Sequence, residues 1–116
     1  MSSIEMVREF HEKYGHPVAD KPGLIPDSRF EFRVRLIQEE LGEYEEAAND
    51  HDLTGIVDAL ADLLYVVYGT AVEHGIDVDA ALAEAHRSNM TKELNGLGKP
   101  IKGAAFEEPD FTPFTT

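Results

Sequence analysis

From Ile56 to Val72 the chain carries only two formal charges, Asp58 and Asp62. A segment that is apolar around nearly its whole circumference must be buried by protein or by lipid. At roughly 17 residues it falls short of the ~20 a bilayer requires, and two carboxylates near its start are costly in hydrocarbon. It is therefore read as a buried helix. A domain of 116 residues buries only about two-thirds of its unfolded surface. Leu63, Leu64, Val66, Val67 and Tyr68 point around almost the full helix, so other copies of the chain are expected to complete the core as a dimer or tetramer.

Charge narrows the partners. Ten Lys and Arg against 23 Asp and Glu give a formal net charge of −13. Such a surface repels nucleic acid and anionic membranes, and an anionic substrate binds it only where metal ions or a few placed cations reverse the local field. The absence of cysteine removes disulfide and thiolate-zinc frameworks. With no signal-peptide core in Met1–Glu5, a cytoplasmic setting is expected.

The remaining text reads as helices. Ser2 and Glu5 form a capping-box pattern, followed by Ile4, Val7, Phe10 and Tyr14 at helical spacing up to Gly15. Pro17, Pro22, Gly23 and Pro26 make residues 16–27 a connecting loop. Ser28 and Glu31 repeat the capping box, and Phe30, Val34, Ile37, Leu41 and Tyr44 carry a second helix to about Asn49. Asp52 or Thr54 caps the third, which stops at Gly75, and Asp77 caps a fourth reaching Lys92 or Glu93. Beyond Asn95, Gly96, Gly98, Pro100, Gly103, Pro109 and Pro113 exclude long regular structure, while Phe106, Phe111 and Phe114 imply a tail that packs somewhere. The expectation is a single all-α domain over 1–116: about four helices within 3–93, an irregular tail over 95–116 and no strand.

The chemistry lies in the acids. Glu31, Arg35, Gln38, Glu45 and Glu46 fall away from the apolar stripe of the second helix and read as a solvated face. Glu40 and Glu43 instead align with Leu36 and Ala47, and Glu39 lies beside them. Asp58 and Asp62 share one face of the apolar third helix at i,i+4, where ionised carboxylates repel each other and resist burial. Three readings are open: pairing with Arg33 or Arg35 across the bundle, a place at a wet edge, or a divalent cation shared between the two helices. Taken together, the five acids favour the cation, and an all-oxygen set favours Mg²⁺, with Mn²⁺ as the alternative. A di-iron site would need Glu-x-x-His, and none of His11, His16, His51, His74 and His86 has Glu three residues before it. His86 reads as a partly buried polar residue. No nucleophile elbow or P-loop is present. After the fourth helix, Asn89 and Lys92, with Lys99 and Lys102 beyond, suit a phosphate oxygen or simply complement a helix C-terminus.

Glu39-Glu40-Leu41-Gly42-Glu43, Asp62 within Ala59-Leu60-Ala61-Asp62-Leu63-Leu64-Tyr65, and Asn89 with Lys92 together resemble the Glu-Glu-x-x-Glu, Glu-x-x-Asp and Asn-x-x-Lys segments of the MazG-like all-α nucleoside triphosphate pyrophosphohydrolases. The resemblance runs from about Phe30 to Lys102. Where the family has the first Glu of Glu-x-x-Asp this chain has Ala59, with Asp58 one position earlier as a substitute. The resemblance implies Mg²⁺-dependent cleavage of a nucleoside triphosphate to monophosphate and pyrophosphate at a site shared between subunits, in the sense of nucleotide-pool house-cleaning. Under it Glu40, Glu43, Asp62 and Asp58 hold metal, and Glu39 orients or deprotonates the attacking water. Asn89, Lys92 and Lys99 hold substrate oxygens, and the Phe106–Phe114 tail covers the base. The phosphoribosyl-ATP pyrophosphohydrolases of histidine biosynthesis, similar over the same Asp62 helix, are the alternative within the superfamily. A non-enzymatic oligomeric scaffold is the alternative outside it.

Overall fold

A computed structural model describes residues 1–116, in two compact units, Met1–Ile76 and Asp77–Thr116. The first contains α1 (Ser3–Tyr14), α2 (Asp27–Asn49) and α3 (Leu53–His74). The second contains α4 (Val78–Asn89), a two-residue hairpin of β1 (Glu93–Leu94) and β2 (Pro100–Ile101), and a single 3₁₀ turn at Thr112–Phe114. The architecture is all-α.

Local signals set most helix ends. Ser2 Oγ accepts from the Glu5 amide at 3.3 Å while Glu5 Oε2 accepts from the Ser2 amide at 2.9 Å, the reciprocal bonds of a capping box. Asp52 and Asp77 accept from the amides of Gly55 and Ala80. The second helix departs from expectation. It begins at Asp27 behind Pro26, whose carbonyl accepts from the Arg29 and Phe30 amides, so Ser28 already lies inside the first turn and no side chain caps the helix. Proline fixes the backbone angle there and places the helix start one residue before Ser28. The fourth helix is also shorter than read, ending at Asn89. Beyond it the Thr91 hydroxyl donates to the Ser88 carbonyl and accepts from the Glu107 amide, which turns the chain back. The short hairpin was not anticipated. Asn95 builds it, its side-chain oxygen accepting from the Leu97 and Lys99 amides.

α3 is the centre of the first unit and packs against both α2 and α1. By length and composition it is the one helix that could cross a membrane, but it buries Ala59, Gly69, Ala71, Val72 and Glu73 against protein. α2 runs antiparallel to it across a turn in which His51 adopts φ 55°. The 16–26 loop is tied to the end of α3: the Ala19 amide donates to the Val72 carbonyl, the Gly23 amide to the His74 carbonyl, and His74 Nδ1 to the Gly23 carbonyl. What the unit buries is small, namely Val7, Ala47, Ala59, Ala71 and Val72, and no large side chain is fully enclosed. Leu53, Val57, Leu60, Leu64 and Val67, spaced four and three apart along α3, stay 38–73% exposed.

In the second unit the tail is fastened along α4. Ser88 Oγ donates to the Glu107 carbonyl at 2.7 Å, Arg87 pairs with Glu84 and Glu107, and the Asp110 amide donates to Glu84. Phe106 and Phe114 are half-buried and Phe111 is exposed.

Gly75 ends α3 at φ +70°, with the Ile76 amide donating to the Ala71 carbonyl and the Gly75 amide to the Val72 carbonyl. A Cβ there would collide with the Lys21 carbonyl, whereas at Gly15, also φ +70°, it would meet nothing. Gly15→Ala is expected to cost about 1 kcal/mol, the left-handed strain alone. Gly75→Ala should cost at least twice as much by chemical denaturation, and equal losses would show that the loop yields freely.

Candidate metal centre

Two antiparallel helices meet level wherever their residue numbers run in opposite directions at the same rate. The Arg33 side chain crosses Gly69, and Cβ of Ala47 lies 3.1 Å from where a Cβ on Gly55 would sit. Midway between these two close approaches, Glu40 comes level with Asp62. One heptad separates Arg33, Glu40 and Ala47 on α2, and one heptad separates Gly69, Asp62 and Gly55 on α3. Oxygens of Glu40, Glu43 and Asp62 lie within 4.8 Å of one another at this level.

Two of these carboxylates, Glu40 and Asp62, resist ionisation. Burial, a hydrogen bond with Glu43 and the charges of Glu43, Asp62 and Glu39 push the Glu40 carboxyl up to about 7. Burial, then Asp58 and Glu43, raise Asp62 as well. Glu40 Oε2 is buried and has no hydrogen-bond partner. An acceptor-only oxygen aimed into a cluster of acids is unsatisfied by protein and complementary to a cation. Hard oxygen donors on two rigid helices suit Mg²⁺ or Mn²⁺, so the residues fit the group the sequence implied.

Not every predicted acid converges. Asp58 is exposed, one turn before Asp62 and hydrogen-bonded to it, outside the three-residue cluster. It lines, with Glu43, Glu46, Asp50 and Asp52, an open acidic cleft of about 210 Å³. Glu39 is exposed beside Glu40. Ala59, at the family's Glu position, is only 2% exposed. In the second unit Asn89 closes α4 and is exposed, and its carbonyl accepts from the Lys92 amide. Lys92 is half-buried, and Lys99 is exposed in the hairpin. His86 is exposed rather than partly buried.

Sequence reading missed two features. Arg33 does not pair with Asp58 or Asp62. It pairs with Glu73 at 3.2 Å, where Arg29 also binds at 2.7 Å, and the Glu73 side chain is fully buried. The available signal was Glu73 itself, the last acid on an apolar helix and therefore in need of a cation. The second feature is a cleft of about 250 Å³ between α1, α2 and α3, lined by Phe10, His16, Phe32, Leu36 and Tyr65. Phe10 meets Tyr65 edge to face at 5.4 Å and His16 at 5.9 Å. Beneath it His11 is buried, donates from Nδ1 to the Pro17 carbonyl, and is held neutral chiefly by desolvation. Leu36 precedes Glu40 and Tyr65 follows Asp62 by one turn, so the cleft adjoins the acids.

The chain is 34% identical over 87 residues to the uncharacterized protein L479 of Acanthamoeba polyphaga mimivirus, a match covering 67% of this chain and 33% of that protein. The chain thus spans about a third of the length of that curated relative. The family model described as phosphoribosyl-ATP pyrophosphohydrolase matches residues 7–89, which include α2, α3 and all three converging carboxylates. With that span matched, the chain belongs to the phosphoribosyl-ATP pyrophosphohydrolase family, whose activity is hydrolysis of a pyrophosphate bond in a nucleotide.

Proposed function

We propose that this chain is a Mg²⁺-dependent pyrophosphohydrolase that cleaves a nucleoside triphosphate to the monophosphate and pyrophosphate. The observation that carries the reading is the meeting of Glu40, Glu43 and Asp62 around a buried, partnerless Glu40 oxygen. A divalent cation there would neutralise phosphate charge and polarise the bond to be cut. Glu40, Glu43 and Asp62 would hold it, with Asp58, hydrogen-bonded to Asp62, as a further ligand. Glu39, exposed on the same stretch of α2, takes the role of orienting and deprotonating the attacking water. Asn89, Lys92 and Lys99 bring donors and positive charge suited to phosphate or sugar oxygens. The ring-lined cleft one turn from the acids suits the flat base, a place the sequence had given to the Phe106–Phe114 tail.

The reading also takes the protein as a homo-oligomer. Leu53, Val57, Leu60, Leu64 and Val67 repeat with heptad spacing on α3, and Phe30, Leu41 and Tyr44 lie exposed on the same repeat along α2. Two such hairpins face to face make a four-helix bundle that would cover both stripes.

Three outcomes are expected. With Mg²⁺ a triphosphate yields pyrophosphate as first product, and Glu40→Gln abolishes this with helicity intact, since only ligand charge is lost. Orthophosphate released first would refute the chemistry. Preference for phosphoribosyl-ATP would move the chain to the histidine pathway, and inertness across a nucleotide panel would favour the scaffold. Second, because the folded Glu40 carboxyl titrates near 7 against an ordinary 4.5, metal-free stability falls as pH rises through that window. Metal competes with the same proton, so Mn²⁺ affinity should rise about tenfold per pH unit below about 7. A flat calorimetric profile between pH 5.5 and 7 would exclude Glu40 as a ligand. Third, light scattering at micromolar concentration should give a dimer or larger, and Leu60→Glu with Leu64→Glu should dissociate it. A folded monomeric parent would refute the shared bundle.

A further inference from the structure

We propose that Arg33 is a positioning residue: it sets the register of α2 against α3 and so holds Glu40 opposite Asp62, with Gly69 as the slot that admits it. The inference rests on the reading of Glu40, Glu43 and Asp62 as metal ligands and adds to it a pair of residues that touch neither metal nor substrate.

The guanidinium is nearly sealed, its side chain 5% exposed. It donates from Nε to Thr70 Oγ1 at 3.1 Å, from Nη1 to Glu73 Oε2 at 3.2 Å and from Nη2 to the Val66 carbonyl at 2.7 Å. Those acceptors run from Val66 to Glu73, two turns of α3, so no axial slide of α2 preserves all three. Glu73 is itself saturated, because Arg29 donates to both of its oxygens, at 2.9 and 2.7 Å. Buried, charge-assisted and with its guanidinium fork spread over three acceptors, this contact resists displacement more than the small apolar contacts around it.

Space for it is specific. A Cβ on residue 69 would collide with Arg33 Nη2 and lie 2.9 Å from His11 Nε2. Only glycine lets the guanidinium cross α3 at that level. One heptad further along α2 stands Glu40, and one heptad back along α3 stands Asp62, about 10 Å from the crossing at about 1.5 Å per residue. A slip of a single residue would therefore shift one ligand past the other by about 1.5 Å, against a metal–oxygen bond of about 2.1 Å. Glu40 and Asp62 also repel each other when ionised. Their approach requires an attachment elsewhere, and Arg33 supplies it on the same pair of stripes.

The test is Mn²⁺ titration of the full chain by calorimetry or electron paramagnetic resonance, with far-UV circular dichroism on each variant. Arg33→Lys keeps the charge opposite Glu73 but loses the fork, and Gly69→Ala closes the slot. Each is expected to weaken Mn²⁺ binding about 10- to 100-fold, as for residues that orient metal ligands without binding metal, with helical content retained. Gly75→Ala strains the end of α3 against the Lys21 carbonyl and removes no bond between α2 and α3. It should lower the melting temperature and leave Mn²⁺ affinity within about twofold, which a general stability effect would not do. Should Arg33→Lys and Gly69→Ala fail to fold, Thr70→Val, which removes one acceptor and keeps the ion pair, should still weaken binding about threefold or more. Folded variants that bind as the parent does, or Gly75→Ala weakening as much as Arg33→Lys, overturn the positioning role. A parent chain that binds no Mn²⁺ overturns the metal reading itself, a result distinct from either.

Discussion

The structure turns on one buried guanidinium. Arg33 lies between α2 and α3 with its charge met by Glu73 and its remaining donors met by Thr70 and Val66. Removing Glu73 would cost about 3–5 kcal/mol, because the Arg33 charge would be left in an apolar interior. Few other contacts in the first unit approach that value, since its buried apolar residues are chiefly alanine and valine. Arg29 and the Gly69 gap are consequences: the first completes the shell of Glu73, and the second leaves room for the crossing.

Against that attachment works the mutual repulsion of the acids. Glu40 and Asp62 are both shifted toward their protonated forms, first by burial and then by one another's neighbours. A protein selected only for stability would separate these groups or supply a base. Here Arg29 and Arg33 go to Glu73 instead, and the acids are left with an unsatisfied oxygen among them. Strain of this kind, localised and held by a rigid contact nearby, is the electrostatic form of a site prepared for a cation. The ring-lined cleft beside it adds an apolar wall to a polar centre, the usual composition of a small-molecule site.

The apolar stripe along α3 has the opposite character. Leu53, Val57, Leu60, Leu64 and Val67 carry no charge and stay exposed to differing degrees, yet their heptad spacing is as regular as that of the acids. Covering what is exposed of each such side chain would contribute a part of the about 1.5–3 kcal/mol that full burial gives. The acids and the stripe are on different faces of α3. Association through one need not cover the other.

What the sequence determined by itself was everything that depends on a few neighbouring residues. The all-α class, the caps at Ser2, Asp52 and Asp77, and the left-handed stops at Gly15 and Gly75 follow from local hydrogen bonds and backbone preference. The convergence of Glu40, Glu43 and Asp62 was legible too, because acids held within apolar helical stripes must face the neighbouring helix. The same local reading misplaced the cap at Ser28, where Pro26 already starts the helix, and overran α4, where hydrogen bonds from the distant Glu107 turn the chain. Only the tertiary structure decided that Arg33 belongs to Glu73 and not to Asp58 or Asp62, and that rings from α1 line a cleft beside the acids. Pairing of this kind depends on helix register and on the empty space over Gly69. Those are properties of two segments brought together, and neither segment states them alone.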